Sequence, residues 1–406
     1  MRIEPVAPRL RAALILLVAL LPSAPLLQAQ RVRTAVSFDV MQSAAVRDSN
    51  DAAAHYNLGV GHWSKGRYDE AEKSFRQALA IEPRFALAHL ALAYLPFARR
   101  GKLWDEELEG KVPDDWKTAV EESDREYRRA MLADPMVDLK IMGAVEPGIP
   151  AGWQTNDFLA HLYDVVYRGF DDFRDAKYES AYSRFQQMAH ELDWDGHPER
   201  ASTSFLYYRG LAAAHLNRFE EAITDVQTIY DRLRARETER RDSITFLPLR
   251  TNEYRYLLAD LYLRNNNPVM ATPLFQEVVE QDAGNYMAHV RLAEIHEAAR
   301  EWDASIAERR HAVETSPEDA SLLLDLGVTL GKAGRFADAE VALADAATAN
   351  PRDTRSLYWL GIAREQLGKS IEARQAYERF IALAPSRYAR QVEAARARMA
   401  RLGGGE

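Results

Sequence analysis

Four leucines stand 34 residues apart in one register: Leu258, Leu292, Leu326 and Leu360. A small residue follows each one, at Ala259, Ala293, Gly327 and Gly361. Thirteen residues after each leucine comes another small residue, at Ala271, Ser305, Ala339 and Ala373. Proline then closes three of the four units, at Pro317, Pro351 and Pro385. A fixed period of this length belongs to stacked supersecondary units rather than to one globular core. The function it implies is a binding surface assembled from repeats.

Composition narrows this further. The chain is rich in Ala, Leu, Arg and Glu, which favours helix, and no long stretch alternates as a strand would. Residues 1–29 have the pattern of a secretory signal: Arg2, Arg9 and Arg11, the apolar run Ala12–Leu21, then Leu27-Gln28-Ala29 before Gln30. The apolar run is short for a membrane span and is ended by Pro22 and Pro25. The expectation is therefore cleavage and export, to a periplasm or cell envelope, with no stable membrane span afterwards. Cleavage removes three Arg and one Glu, making the rest two charges more negative than the full chain's −9. That balance argues against a nucleic-acid groove. The absence of cysteine excludes disulfides and thiolate metal sites.

A second set of residues carries a family resemblance. Leu58-Gly59, the turn Gly66-Arg67-Tyr68, then Ala71, Phe75, Ala78 and Pro83 follow one another at set spacing. Gly66 supplies a permissive turn backbone, and Pro83 stops the second helix. This unit and the 34-residue series resemble tetratricopeptide repeats, which are helix-turn-helix pairs. The resemblance implies an all-α, right-handed α-solenoid of about eight units, covering most of residues 51–387. Residues 51–135 hold N-terminal units interrupted by a charged insertion at 99–115. An apolar, Pro/Gly-containing insertion follows at 136–156, then irregular central units at 157–251. Four regular units occupy 252–387, a capping helix 388–402, and a flexible tail 403–406. Residues 30–50 form a leader with no assigned structure. Pro273 falls inside a second helix, where a kink is expected because proline cannot donate its helix bond.

No catalytic constellation is found: no His-Glu-x-x-His, no phosphate-binding glycine loop, no Gly-x-Ser-x-Gly, no thiol nucleophile. The chain is expected not to be an enzyme and to need no cofactor. His190, Asp193, Asp195 and His197 cluster, but without the ligand count or spacing of a metal loop, so no metal site is assigned.

In the tetratricopeptide family the first helices line a concave groove. The corresponding aromatics here are Tyr56, Trp63, Tyr163, Tyr167, Phe170, Tyr207, Tyr208 and Tyr256. They are the candidate partner-binding residues, since aromatics give large contact area at low entropic cost. The expected function is an exported scaffold or adaptor capturing an apolar or helical protein segment. The alternative is a structural subunit of a cell-envelope assembly, using the convex face or the insertions. The family's chaperone-tail binders clamp a terminal carboxylate with Lys and Asn, and that set is not visible here. The sixth and seventh units instead carry Arg291, Glu294, Glu297, Asp325 and Lys332 on this face, a polar surface of mixed sign.

Overall fold

The computed structural model describes residues 37–100, 114–137, 168–173, 175–238, 251–317 and 319–402. Among them every regular element is helical, as the repeat period requires. The helices are α1 (Phe38–Arg47), α2 (Ala52–Trp63), α3 (Tyr68–Ile81), α4 (Ala86–Arg100), α5 (Asp114–Ala133) and α6 (Tyr178–Glu191). Next come α7 (Thr203–His215), α8 (Phe219–Thr238), α9 (Thr251–Arg264), α10 (Pro268–Gln281), α11 (Tyr286–Ala298) and α12 (Trp302–Thr315). The last are α13 (Ala320–Lys332), α14 (Phe336–Ala349), α15 (Arg355–Gln366), α16 (Ser370–Leu383) and α17 (Ala389–Leu402). Helix pairs such as α2/α3, α7/α8, α11/α12, α13/α14 and α15/α16 pack within a repeat, and α14 packs on α15 between repeats.

Local chemistry sets the boundaries. Four first helices begin at side-chain caps: Asp51 accepts from Ala53 N, Ser202 from Phe205 N, Asn285 from Ala288 N, and Asp319 from Ser321 N. The second helices α3, α12, α14 and α16 lack such caps but carry acids in the first turn, at Asp69 and Glu70, Asp303, Asp338 and Glu372. Those charges suit the positive end of the helix dipole. The described turns inside the repeats pass through the left-handed region. Gly334 and Gly368 do so at φ 77° and 73°, while Asn266 and Arg300 occupy the same register at 56° and 61°. The helix α10 continues through Pro273.

Small residues on first helices let second-helix side chains close in. A Cβ on Gly59 would lie 2.5 Å from Phe75, and one on Gly327 2.5 Å from Leu343. Gly361 meets Tyr377 in the same way. Leu326, Leu330, Leu343 and Leu360 build one apolar core, and Leu357, Tyr377, Phe380 and Ala395 another beneath α17.

The chain divides into two compact units. One comprises the described residues of 90–274; the other comprises those of 36–89 and 275–406. The leader, left without structure from the sequence, forms α1. Phe38 packs edge-on against His62 at 4.9 Å, and Lys65 lies over its ring at 3.6 Å.

The second unit joins the first repeat to the last ones. Arg352 donates to Gln77 Oε1 at 2.7 Å and to Ser49 O at 2.9 Å, and Asn350 donates to Ile81 O at 3.3 Å. Asn50 donates to Leu383 O, Ser386 donates to Asp48, and Arg387 pairs with Asp51 at 3.0 Å. The two ends of the repeat series are thus neighbours within one body.

Candidate functional site

The aromatics proposed from the sequence lie mostly in the interior. Tyr56, Trp63, Phe170, Tyr207, Tyr208 and Tyr256 are all buried. Tyr56 packs on Phe75 and Phe85, and Trp63 on Tyr68. Phe170 meets Phe185 at 5.3 Å and Tyr208 at 4.7 Å. Tyr207 is fully buried between Tyr208 and Tyr254. The Tyr256 hydroxyl donates to Leu132 O at 3.0 Å. These rings fill the space between helices and offer little surface to a partner. Tyr163 and Tyr167 lie outside the described residues, as does the insertion at 138–156.

The His190–His197 cluster resolves into separate surface ion pairs. His190 faces Asp195, His197 faces Glu199, and Arg200 faces Asp193, all near 3 Å. Among the described residues no three metal-ligating side chains converge.

Among the described residues, the charged first-helix face opens as a recess. In the second unit, α11 supplies Glu294, Glu297 and Ala298, and α13 supplies Asp325, Val328, Thr329 and Lys332. With Arg300, Trp302 and Arg309 they line a recess of about 800 Å³. Its size suits a ligand-sized group or a few residues of a peptide. Two of the mixed-sign residues read from the sequence, Glu297 and Lys332, pair directly across it, and Thr329 donates to Glu297 at 3.1 Å. Arg291 donates to Glu294 at 2.8 Å.

Two residues of this site went unread in the sequence. Arg309 stands 34 residues before Leu343 and 68 before Tyr377, at the position where those side chains fill the core. A cation at a core position of the repeat was the available signal. Its side chain is only 8% exposed, 3.6 Å from Asp325 and 3.9 Å from Glu297, and its Nε and Nη1 have no hydrogen-bond partner. The other is Arg84, from the turn after α3. It donates to Asp325 at 2.6 Å and to Ser321 Oγ at 2.8 Å, with Asp319 at 3.6 Å. Burial works against the Arg84 charge, but Asp325 and Asp319 more than restore it and hold its pKa above the usual value. Nothing near Arg84 in sequence announces a contact with residues more than 230 positions away.

The first unit has its own recess, of about 720 Å³, lined mainly by the second helices α6 and α8. Its floor is closed chemically. Arg209 grips Asp225 through two hydrogen bonds of 2.8 and 2.6 Å and also donates to Gln186 at 3.3 Å. Burial pushes the Asp225 carboxyl up against the pull of Arg209, and burial with Glu221 pushes the Tyr182 phenol up.

Comparison with known proteins agrees with the helix pairs. The tetratricopeptide repeat family matches residues 52–85, 252–320 and 324–388. No curated protein matches the chain. Among solved structures, MamA of AMB-1 is 18% identical, covering 45% of this chain and 91% of its own, with TM-score 0.35. The C-terminal part of a TPR repeat-containing protein from Cytophaga hutchinsonii is 12% identical, covering 59% and 95%, with TM-score 0.44. A tetratricopeptide repeat protein from Parabacteroides merdae is 13% identical, covering 87% and 98%, with TM-score 0.35. Over the matched residues, its stacked helix pairs are tetratricopeptide repeats.

Proposed function

We propose that this protein is an interaction scaffold that captures a segment of a partner protein on the first-helix face of its sixth and seventh repeats. The recess between α11 and α13 carries this reading. It combines an apolar and aromatic lining from Val328 and Trp302 with charged groups of both signs. Such a surface suits a mixed peptide segment better than the purely apolar or helical partner expected from the aromatics, because those rings are spent on packing. The N-terminal pattern adds export to a periplasm or envelope, which mass measurement of the natural protein tests directly: a mature chain should begin at Gln30.

A photo-crosslinking residue in place of Val328, in the full chain and in extract of its native cells, tests the surface. The same residue at Val341, on the exposed second-helix side, is the control. Partner labelling at 328 and not at 341 is the expected result. Labelling at 341 alone would replace this reading with the envelope-assembly subunit.

A further inference from the structure

The first repeat is held on the last ones by polar groups. Arg84, Arg352, Asn350, Asn50, Ser386 and Arg387 make the bonds described above, and the apolar clusters of the last repeats contain no residue of the first. A cavity of about 10 Å³ lies within this junction, bordered by Asn50 and Glu82 from one side and Arg352 and Arg387 from the other. It has room for one water. Polar joins of this kind within a chain open and close more readily than apolar ones.

Asp325 faces two claims at this junction. Its Oδ2 lies 2.6 Å from Arg84 Nη2 and 3.6 Å from Arg309 Nη1. Only the first distance is a hydrogen bond. Arg309 Nη1 is buried and has no hydrogen-bond partner, while Glu297 is taken by Lys332 and Thr329. A buried donor left unmet is destabilising. A side-chain shift of about 1 Å brings Asp325 and Arg309 within hydrogen-bond range. The closed junction thus satisfies Arg84 and leaves Arg309 unmet, and release of Arg84 reverses the two.

We infer that the junction is a reversible latch in which Asp325 exchanges Arg84 for Arg309 as the first repeat leaves the last ones. Pairing with Arg309 offsets part of what is lost when Arg84 departs, so Asp325 is paired in both states. The exchange takes place inside the protein and needs no group from outside. Asp325 also lines the recess between α11 and α13, so the latch moves one wall of that recess. It is a property of the fold and does not depend on the capture reading.

Double electron–electron resonance on the full-length protein tests it. The chain has no cysteine, so spin labels attach only where cysteine is introduced. Val46→Cys on α1 and Ile371→Cys on α16 place them at exposed positions on the two sides of the junction. Rising salt screens the attractions across it, so the short distance of the closed state should give way to longer ones. Arg84→Met should raise the ratio of open to closed molecules about tenfold, the worth of one hydrogen bond between charged groups. Arg309→Leu should lower that ratio by up to about tenfold, because Asp325 then has no second partner when the latch opens. The two effects should not add. With Arg84→Met in place, Asp325 pairs with Arg309 whether the junction is open or closed, and Arg309→Leu should leave the ratio unchanged. Asp325→Ala, which removes the shared acceptor, should silence Arg309→Leu in the same way. Circular dichroism checks that each variant keeps its helices.

A single short distance at every salt concentration would overturn the inference, because the junction would then be fixed. So would an unchanged ratio in Arg309→Leu alone. An equal shift by Arg309→Leu with and without Arg84 would also sink it, since Arg309 would then act within its own repeat and not through Asp325.

Discussion

Arg209 and Arg309 are both buried arginines, one in each unit, and they stand in opposite conditions. Arg209 has two hydrogen bonds to Asp225, one to Gln186, and the Phe205 ring 5.1 Å away. Arg309 has carboxylates near it but no hydrogen bond at Nε or Nη1. The first pair closes a recess from within and can be explained as structure. The second has buried donors that no acceptor meets. Burial alone does not separate the two; the hydrogen bonds do.

The largest effect should come from breaking the closed pair. Asp225→Ala leaves Arg209 charged and unmatched, at a cost of about 3–5 kcal/mol, seen as a fall in the urea midpoint. A loss below about 1 kcal/mol would mean that Gln186 and water carry the guanidinium, erasing the contrast with Arg309.

Next is the space around the arginine's register position. In the eighth repeat it is filled by the rigid ring of Tyr377 against Gly361. Gly361→Ala should overpack that contact and cost about 1–3 kcal/mol in thermal unfolding. In the sixth repeat Arg309 and Ala293 hold the two corresponding positions. Arg309→Leu should then be neutral or stabilising by roughly 1 kcal/mol, since it removes a charge with unmet donors. Marked destabilisation by this variant would show that Arg309, like Arg209, is a structural ion-pair member.

The smallest effect concerns a pair near the surface. The Glu340 carboxyl is held below its usual value by its Lys369 hydrogen bond, with burial opposing and Arg364 assisting. A depressed carboxyl pKa contributes stability above the unfolded value of 4.5 and loses it as pH falls through the folded value. Glu340→Gln should cost a few tenths of a kcal/mol at neutral pH, and the difference should close in acid. A difference that persists below that window would mean that the charge is not its source.

Much of this contrast was hidden in the sequence, while the scaffold was not. The leucine spacing, Gly59 against Phe75 and the turn glycines are local, periodic signals, and helix pairs answer them. The described aromatics are buried for a physical reason. A first helix in a stack buries one flank against its own second helix and another against the next repeat. Tyr207 and Phe170 therefore have helical spacing on a groove-like face and are still consumed by packing. Arg309 was legible only by aligning repeats and noticing a cation among Leu343 and Tyr377. Arg84 was not legible, because its partner Asp325 is a neighbour only after folding.

The junction of the first repeat with the last ones bears on how the chain is made. Most repeat arrays depend on adjacent contacts and can form in order as they are synthesised. Here Asp48 meets Ser386 and Asn50 meets Leu383, over sequence separations of 338 and 333 residues. The repeat near the N-terminus must wait for the last turn of the series to leave the ribosome before its own unit is complete. Contacts of such separation slow folding, because the loop entropy is lost before the contact is gained. During that interval Asp325 has no Arg84, so the charged recess reaches its final arrangement only when the two ends of the series meet.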